Sequence, residues 1–221
     1  MAAPQPSYDF HTTATAAASS LSASIRNKTI LITGVTPNSL GAHFAATIAL
    51  HAPRLLILAS RTQSAIDATA AAIRAAAADS AVANANADAV AVRGVIVDLA
   101  SLASARRAGD EVARMQRDEG VVVDVLVLNA GVMALSVFAS NGNPQGFKEY
   151  WEKHPFKTLD EGTSTHVVAA FADWIEKDNG KFLRDAQICS FDMVAPWARN
   201  SYDAERLWKM SEDMVGEKFD F

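Results

Sequence analysis

Thr29-Ile30-Leu31-Ile32-Thr33-Gly34-Val35-Thr36-Pro37-Asn38-Ser39-Leu40-Gly41 opens as an apolar strand and closes as a turn of small residues. An apolar helix follows at once, from about Leu40 to Leu50. A turn between strand and helix points backbone N–H groups and the positive helix end outward, which suits a pyrophosphate. Gly34 and Gly41 give the close approach such a loop needs, and Thr36, Asn38, Ser39 and Leu40 complete it. Asn38 and Ser39 stand where more glycine would be expected, although Asn tolerates left-handed backbone better than most residues. The same stretch also reads as a plain tight turn, and on its own it does not decide between the two.

Downstream of this turn, apolar runs alternate with longer helical stretches. Strands are expected at Leu55 to Leu58, Val92 to Val97 and Val122 to Leu128, with Thr29 to Ile32 as the first. Helices are expected at about Ser64 to Ala78 and Ser101 to Gln116. This rhythm predicts an α/β fold, a Rossmann-type doubly wound parallel sheet, and the branched and leucine content of the strands predicts burial on both faces. The Ala/Asn/Asp tract from Ala76 to Ala89 is low in complexity and reads as a surface excursion. Ahead of the first strand, the spacing of Ala17, Leu21 and Ile25 suggests a short amphipathic helix.

Composition narrows the class. The 221 residues, 50% hydrophobic with net charge -5, suit one or two globular domains with a core. That charge offers no basic surface for a phosphate backbone, so nucleic acid is not expected as a partner. The single Cys189 allows no internal disulfide, and beside Ile188 it reads as a packed core residue. Neither a signal peptide nor a run of about 20 apolar residues is evident, which makes a cytoplasmic location the expectation. His43 and His51 lie on one helix without a carboxylate or cysteine at ligand spacing, and His11, His154 and His166 are scattered, so no metal is expected.

Further candidate binding residues stand at the ends of the later strands. The second strand ends in Ala59-Ser60-Arg61-Thr62. NAD-preferring sites carry an acidic residue there, whereas Arg61 would attract the extra phosphate of NADP; its alternative is a solvated surface charge. Asp98-Leu99 follows the third strand, where the carboxylate can accept from an adenine amino group or simply cap the helix starting near Ser101. Asn129-Ala130-Gly131 closes the fourth strand with small residues able to pass beside a ribose.

Together these segments resemble the short-chain dehydrogenase/reductase family, in the branch of retinol-dehydrogenase-like and fungal oxidoreductases whose loop is one residue longer. The resemblance covers residues 28 to 133. It implies that Gly34 to Gly41 holds the pyrophosphate, with Leu40 at the cofactor. Arg61, Asp98 and Asn129 then map onto contacts to the 2'-phosphate, adenine and ribose of NADP(H). The late segments resemble the family again. Phe156 to Thr165 looks like its late helix start, Lys181 to Gln187 like its last strand region, and Glu205 to Gly216 like its closing helix.

The middle departs from the family. Such enzymes use a Ser and a Tyr-x-x-x-Lys pair as positioning group, general acid/base and its partner. Here Tyr8 is followed four positions on by Thr12, Tyr150 by His154 and Tyr202 by Arg206. Lys153 stands three residues after Tyr150, on a different line of a helix, and no catalytic residue is assigned. A block of roughly 100 residues is missing relative to a standard dinucleotide fold, with Ala134 to Phe138 as what remains of a sixth strand. The chain thus divides into an N-terminal helical extension at 1–27, a nucleotide-binding half at 28–133 and a shortened remainder at 134–221.

Three readings follow: an NADP(H)-dependent alcohol/carbonyl oxidoreductase by descent, catalytically impaired, from the setting of fungal secondary metabolism; a non-catalytic NADP(H)-binding protein; or a shortened isoform or gene-model product. The first is favoured. An active version could draw on Tyr150, His154 or His166 as substitutes. An open sheet edge beside the fourth strand would invite a homo-oligomer. Trp151, Trp174, Trp197 and Trp208 are expected to pack the shortened core.

Overall fold

The structure is a computed structural model that describes residues 7–79, 90–130 and 157–219. Helices α1 (Ala14–Ser20) and α2 (Ser22–Ile25) precede β1 (Thr29–Thr33). The chain then alternates through α3 (Leu40–Ala49), β2 (Leu55–Ser60), α4 (Gln63–Asp79), β3 (Ala91–Ile96), α5 (Leu102–Glu119) and β4 (Val125–Val127). After the undescribed stretch come α6 (Leu159–Phe171), the two-residue strands β5 (Leu183–Arg184) and β6 (Gln187–Ile188), and α7 (Ser201–Val215). No helix among the described residues is long and apolar enough to cross a membrane.

The four long strands form a parallel sheet in the order β3-β2-β1-β4. Their alternating side chains build two cores, because successive residues of a strand point to opposite faces. Ile30, Ile32, Leu56 and Leu58 are fully buried on one face, under α1, α3, α4 and α6. Phe44 of α3 and Phe171 of α6 stack there with ring centroids 6.0 Å apart. Leu55, Ile57, Ala59 and Val95 point to the other face, where α5 supplies Ala108 and Met115.

That second face is covered unevenly, and here the strands depart from the expectation of burial on both sides. β2 is buried at every position, but β3 and β4 are not. Leu126 is 56% exposed and Leu128 76%. Both strands are edges of the sheet, and among the described residues α5 is the one helix on that face.

Other elements refine the reading of the sequence. The predicted N-terminal helix is two short helices meeting at Leu21, with Ala17, Leu21 and Ile25 buried as the spacing requires. Helix α4 runs on to Asp79, so the start of the Ala76 to Ala89 tract is helical; residues 80–89 lie outside the described residues, as does Ala134 to Phe138. The Lys181 to Gln187 region does not join the parallel sheet but folds into the antiparallel β5-β6 hairpin, turning through Asp185 and Ala186 at positive φ. Cys189 is half-buried rather than a core residue, since it follows this small hairpin. Trp174 does pack on the main core, but Trp197 and Trp208 are exposed because α7 and the turn before it lie at the surface; Trp151 lies outside the described residues.

Candidate nucleotide-binding cleft

At the carboxyl ends of β1 to β4 a cleft of about 970 Å3 opens, which is the place where open α/β sheets receive ligands. Its floor is the turn singled out in the sequence. Gly34 leaves β1 at φ +74 and donates its N–H to the Ala59 carbonyl at 3.0 Å. Asn38 sits at φ +63, the left-handed conformation expected of it. Ser39 caps α3: its Oγ accepts from the Ala42 N–H at 3.2 Å and donates to the Gly34 carbonyl at 3.0 Å. Thr36 closes the turn by accepting the Ser39 N–H at 3.0 Å. Among the described residues, the N–H groups of Leu40 and Gly41 at the head of α3 have no protein acceptor, leaving donors for an anion at a positive helix end.

The glycines have a packing reason that the sequence did not reveal. A Cβ on Gly34 would lie 2.8 Å from the Ala130 Cα, and one on Gly41 would lie 2.5 Å from Asn129 Nδ2. Gly41 therefore sits behind the cleft rather than in its lining. It leaves room for Asn129, whose Nδ2 donates to the Gly34 carbonyl at 3.2 Å. Ala130 N–H in turn donates to Thr33 Oγ1 at 3.2 Å. The turn after β4 is thus stapled to the turn after β1.

The remaining predicted residues converge on the same cleft. Ser60 and Arg61 line it, and Arg61 is exposed with no hydrogen bond or ion pair among the described residues. Asp98 and Leu99 line it from the end of β3. The helix that follows is capped by Ser101, whose side chain accepts from the Ser104 N–H, so Asp98 is not its cap. One Asp98 oxygen accepts from the Ala100 N–H at 3.1 Å. Gly131, like Tyr150, Lys153 and His154, lies outside the described residues. His166 does not line the cleft; it faces Phe44 with ring centroids 6.5 Å apart, and burial holds its pKa below the ordinary imidazole value. No group of three or more metal-ligating side chains occurs among the described residues.

One wall was missed in the sequence. Lys157, Thr158, Leu159 and Gly162, at the head of α6, line the same cleft as Arg61 and Asp98. Thr158 and Glu161 form a capping box, with Glu161 N–H donating to Thr158 Oγ1 at 3.1 Å and Thr158 N–H to Glu161 Oε2 at 2.8 Å. The Thr158 backbone N–H first, and then His11, hold Glu161 down at about 2. The spacing of Thr158 and Glu161 marks a helix start, but nothing in it says which cleft that start faces.

No family model matches the chain. Human retinol dehydrogenase 12 is 39% identical over 67 residues, which cover 30% of this chain and 20% of that protein; the bovine protein of the same name matches to the same extent. Over these 67 residues the chain is similar to retinol dehydrogenases, in keeping with the short-chain dehydrogenase/reductase resemblance of its motifs. It spans only about a fifth of the length of these relatives. Among solved structures, NAD+-bound xylitol dehydrogenase overlays at a TM-score of 0.37 with 24% identity, covering 49% of this chain and 35% of that one. The NADP-bound C-domain of a bacterial malonyl-CoA reductase overlays at 0.39 with 25% identity, covering 51% and 16%. L-Sorbose reductase from Gluconobacter frateurii overlays at 0.37 with 21% identity, covering 66% and 48%.

Proposed function

We propose that the cleft binds NADP(H), and that this short-chain dehydrogenase/reductase descends from an oxidoreductase interconverting alcohols and carbonyl compounds. The observation that carries the cofactor reading is the pairing of free N–H donors at the head of α3 with an unpaired Arg61 on the next strand end. The residues fit the group: the turn from Gly34 to Leu40, with the Leu40 N–H at the head of α3, would receive the pyrophosphate, and Arg61 the 2'-phosphate through charge-assisted hydrogen bonds. Among the described residues, Asp98 Oδ2 accepts no hydrogen bond, and the carboxylate lines the cleft at the end of β3, where it would accept from an amino group of the adenine. Asn129 holds the β4 turn in place and would flank the ribose beside Ala130 and Gly131. When bound, the nicotinamide supplies a hydride donor or acceptor.

The nucleotide-binding unit is residues 28–133, with 1–27 as a helical extension and 134–221 as a shortened remainder. The chain's own acid/base equipment is thin, because no tyrosine has a lysine four residues on. A positioned general acid or base contributes roughly 100- to 10,000-fold, so turnover by this chain would be slow even with cofactor bound. Fluorescence titration with NADPH, for the parental chain and Arg61→Ala, tests the cofactor assignment. Loss of the phosphate contact should weaken NADPH binding about 10-fold or more, in line with ~1.5–3 kcal/mol for a charge-assisted bond, and leave NADH binding unchanged. Equal losses for both cofactors would remove Arg61 from the 2'-phosphate.

A further inference from the structure

The cleft is made by two walls on different helices, and one polar cluster joins them. Leu40 and Gly41 form the head of α3, and His43 completes its first turn. Thr158, Leu159 and Gly162 form the head of α6, and Asp160 lies in that first turn. His43 Nε2 meets Asp160 Oδ1 at 3.0 Å, directly from one wall to the other. Thr15 of α1 completes the arrangement: its N–H donates to Asp160 Oδ1 at 3.1 Å and its hydroxyl to Oδ2 at 2.9 Å. Both carboxylate oxygens are therefore engaged, and three helices meet at one side chain.

Close approach makes the spacing of the walls consequential. A Cβ on Gly162 would come to 3.4 Å from Leu40 Cδ2, so the gap between the two heads is no wider than one added methyl group would fill. The rest of α6 is anchored independently, by Val167, Val168 and Phe171 buried against the α1 and α3 side of the core. Loss of the cluster would leave those two turns docked while freeing the first. Partial burial works to raise the Asp160 pKa, but the bonds from His43 and Thr15 outweigh it and keep the carboxyl below its ordinary value. The group is thus an anion receiving donors, the stronger kind of hydrogen bond.

We propose that the Thr15-Asp160-His43 cluster is a clasp that fixes the α6 wall against the pyrophosphate-binding head of α3, making His43 and Asp160 positioning residues for cofactor affinity. The affinity part rests on the reading that the cleft takes NADP(H); the clasp itself does not.

Hydrogen exchange of the cofactor-free full chain separates the two. In both Asp160→Ala and His43→Ala, amides at 159–163 should exchange about 10-fold faster while those at 167–171 keep parental protection. The His43→Ala result is the demanding one, because a change on α3 must loosen α6. A helix-dipole effect of Asp160 alone would leave His43→Ala at parental rates, and a general loss of packing would raise exchange along all of α6; either result overturns the clasp. NADPH titration then reads the affinity part, with Kd rising roughly 3- to 10-fold in both variants at little change in Tm, and with His43→Gln, which keeps a donor, restoring most of the affinity. Parental NADPH affinity in both alanine variants would overturn the positioning role, whereas an absence of NADPH binding by the parental chain would count against the cofactor reading and leave the exchange result to judge the clasp.

Discussion

The two faces of the sheet are built from the same strands and finished very differently. On one, α1, α3, α4 and α6 enclose Ile30, Ile32, Leu56 and Leu58 completely. On the other, α5 lies over Leu55, Ile57 and Val95, while Leu126 and Leu128 at the β4 edge stay exposed among the described residues. Parallel strands are stable when both faces are covered, so among the described residues the β4 edge is where the sheet's cover is thinnest. The covered face carries the α3 and α6 heads and with them the cleft. The cleft thus sits on the more fully enclosed side of the sheet.

The strongest way to break this comparison is to cut into the covered face. Phe44→Ala removes a fully buried ring stacked on Phe171 and should cost about 3–5 kcal/mol in denaturant unfolding. A loss below about 1 kcal/mol would mean that this face is not the principal core. Arg61→Ala comes next, with about 10-fold weaker NADPH binding and unchanged stability, since Arg61 makes no bond within the described protein.

Acid sharpens the role of the α6 head. The carboxyls of Asp160 and Glu161 both lie below their ordinary values in the folded chain, Glu161 at about 2. Their contribution is present above the ordinary carboxylate range and is lost as pH falls through the folded values. Protection of the α6 first turn should therefore decline between about pH 4.5 and 2. Glu161→Gln should flatten that decline, as followed by hydrogen exchange; an unchanged profile would assign it to other carboxyls. The smallest effect belongs to the open face, where Leu126→Lys should alter stability by no more than about 0.5 kcal/mol. A loss above 2 kcal/mol would show that another part of the chain covers Leu126.

Much of this architecture was legible because it depends on local patterns. The apolar runs at Thr29, Leu55 and Val92 and the helical spacing between them placed the central elements to within a few residues. The binding-site reading rested on a rule of position, that strand ends in such a sheet share one edge, and Gly34, Arg61, Asp98 and Asn129 do meet there. Long-range juxtaposition was not legible. Nothing in the sequence said that Thr158 would face Leu40, or that His43 would meet a carboxylate over a hundred positions away. Burial failed for the same reason: Leu126 and Leu128 look like core residues, and their exposure depends on what packs above them. Gly41 was read as room for a ligand, yet its empty side is filled by Asn129.

Titration of the parental 221-residue chain with NADPH and, separately, NADH tests the central claim most directly. Saturable binding of NADPH, at least about 10-fold tighter than that of NADH, is the result predicted from free donors at the α3 head and an unpaired Arg61. No saturable binding of either dinucleotide would contradict the account and leave the cleft without its proposed occupant.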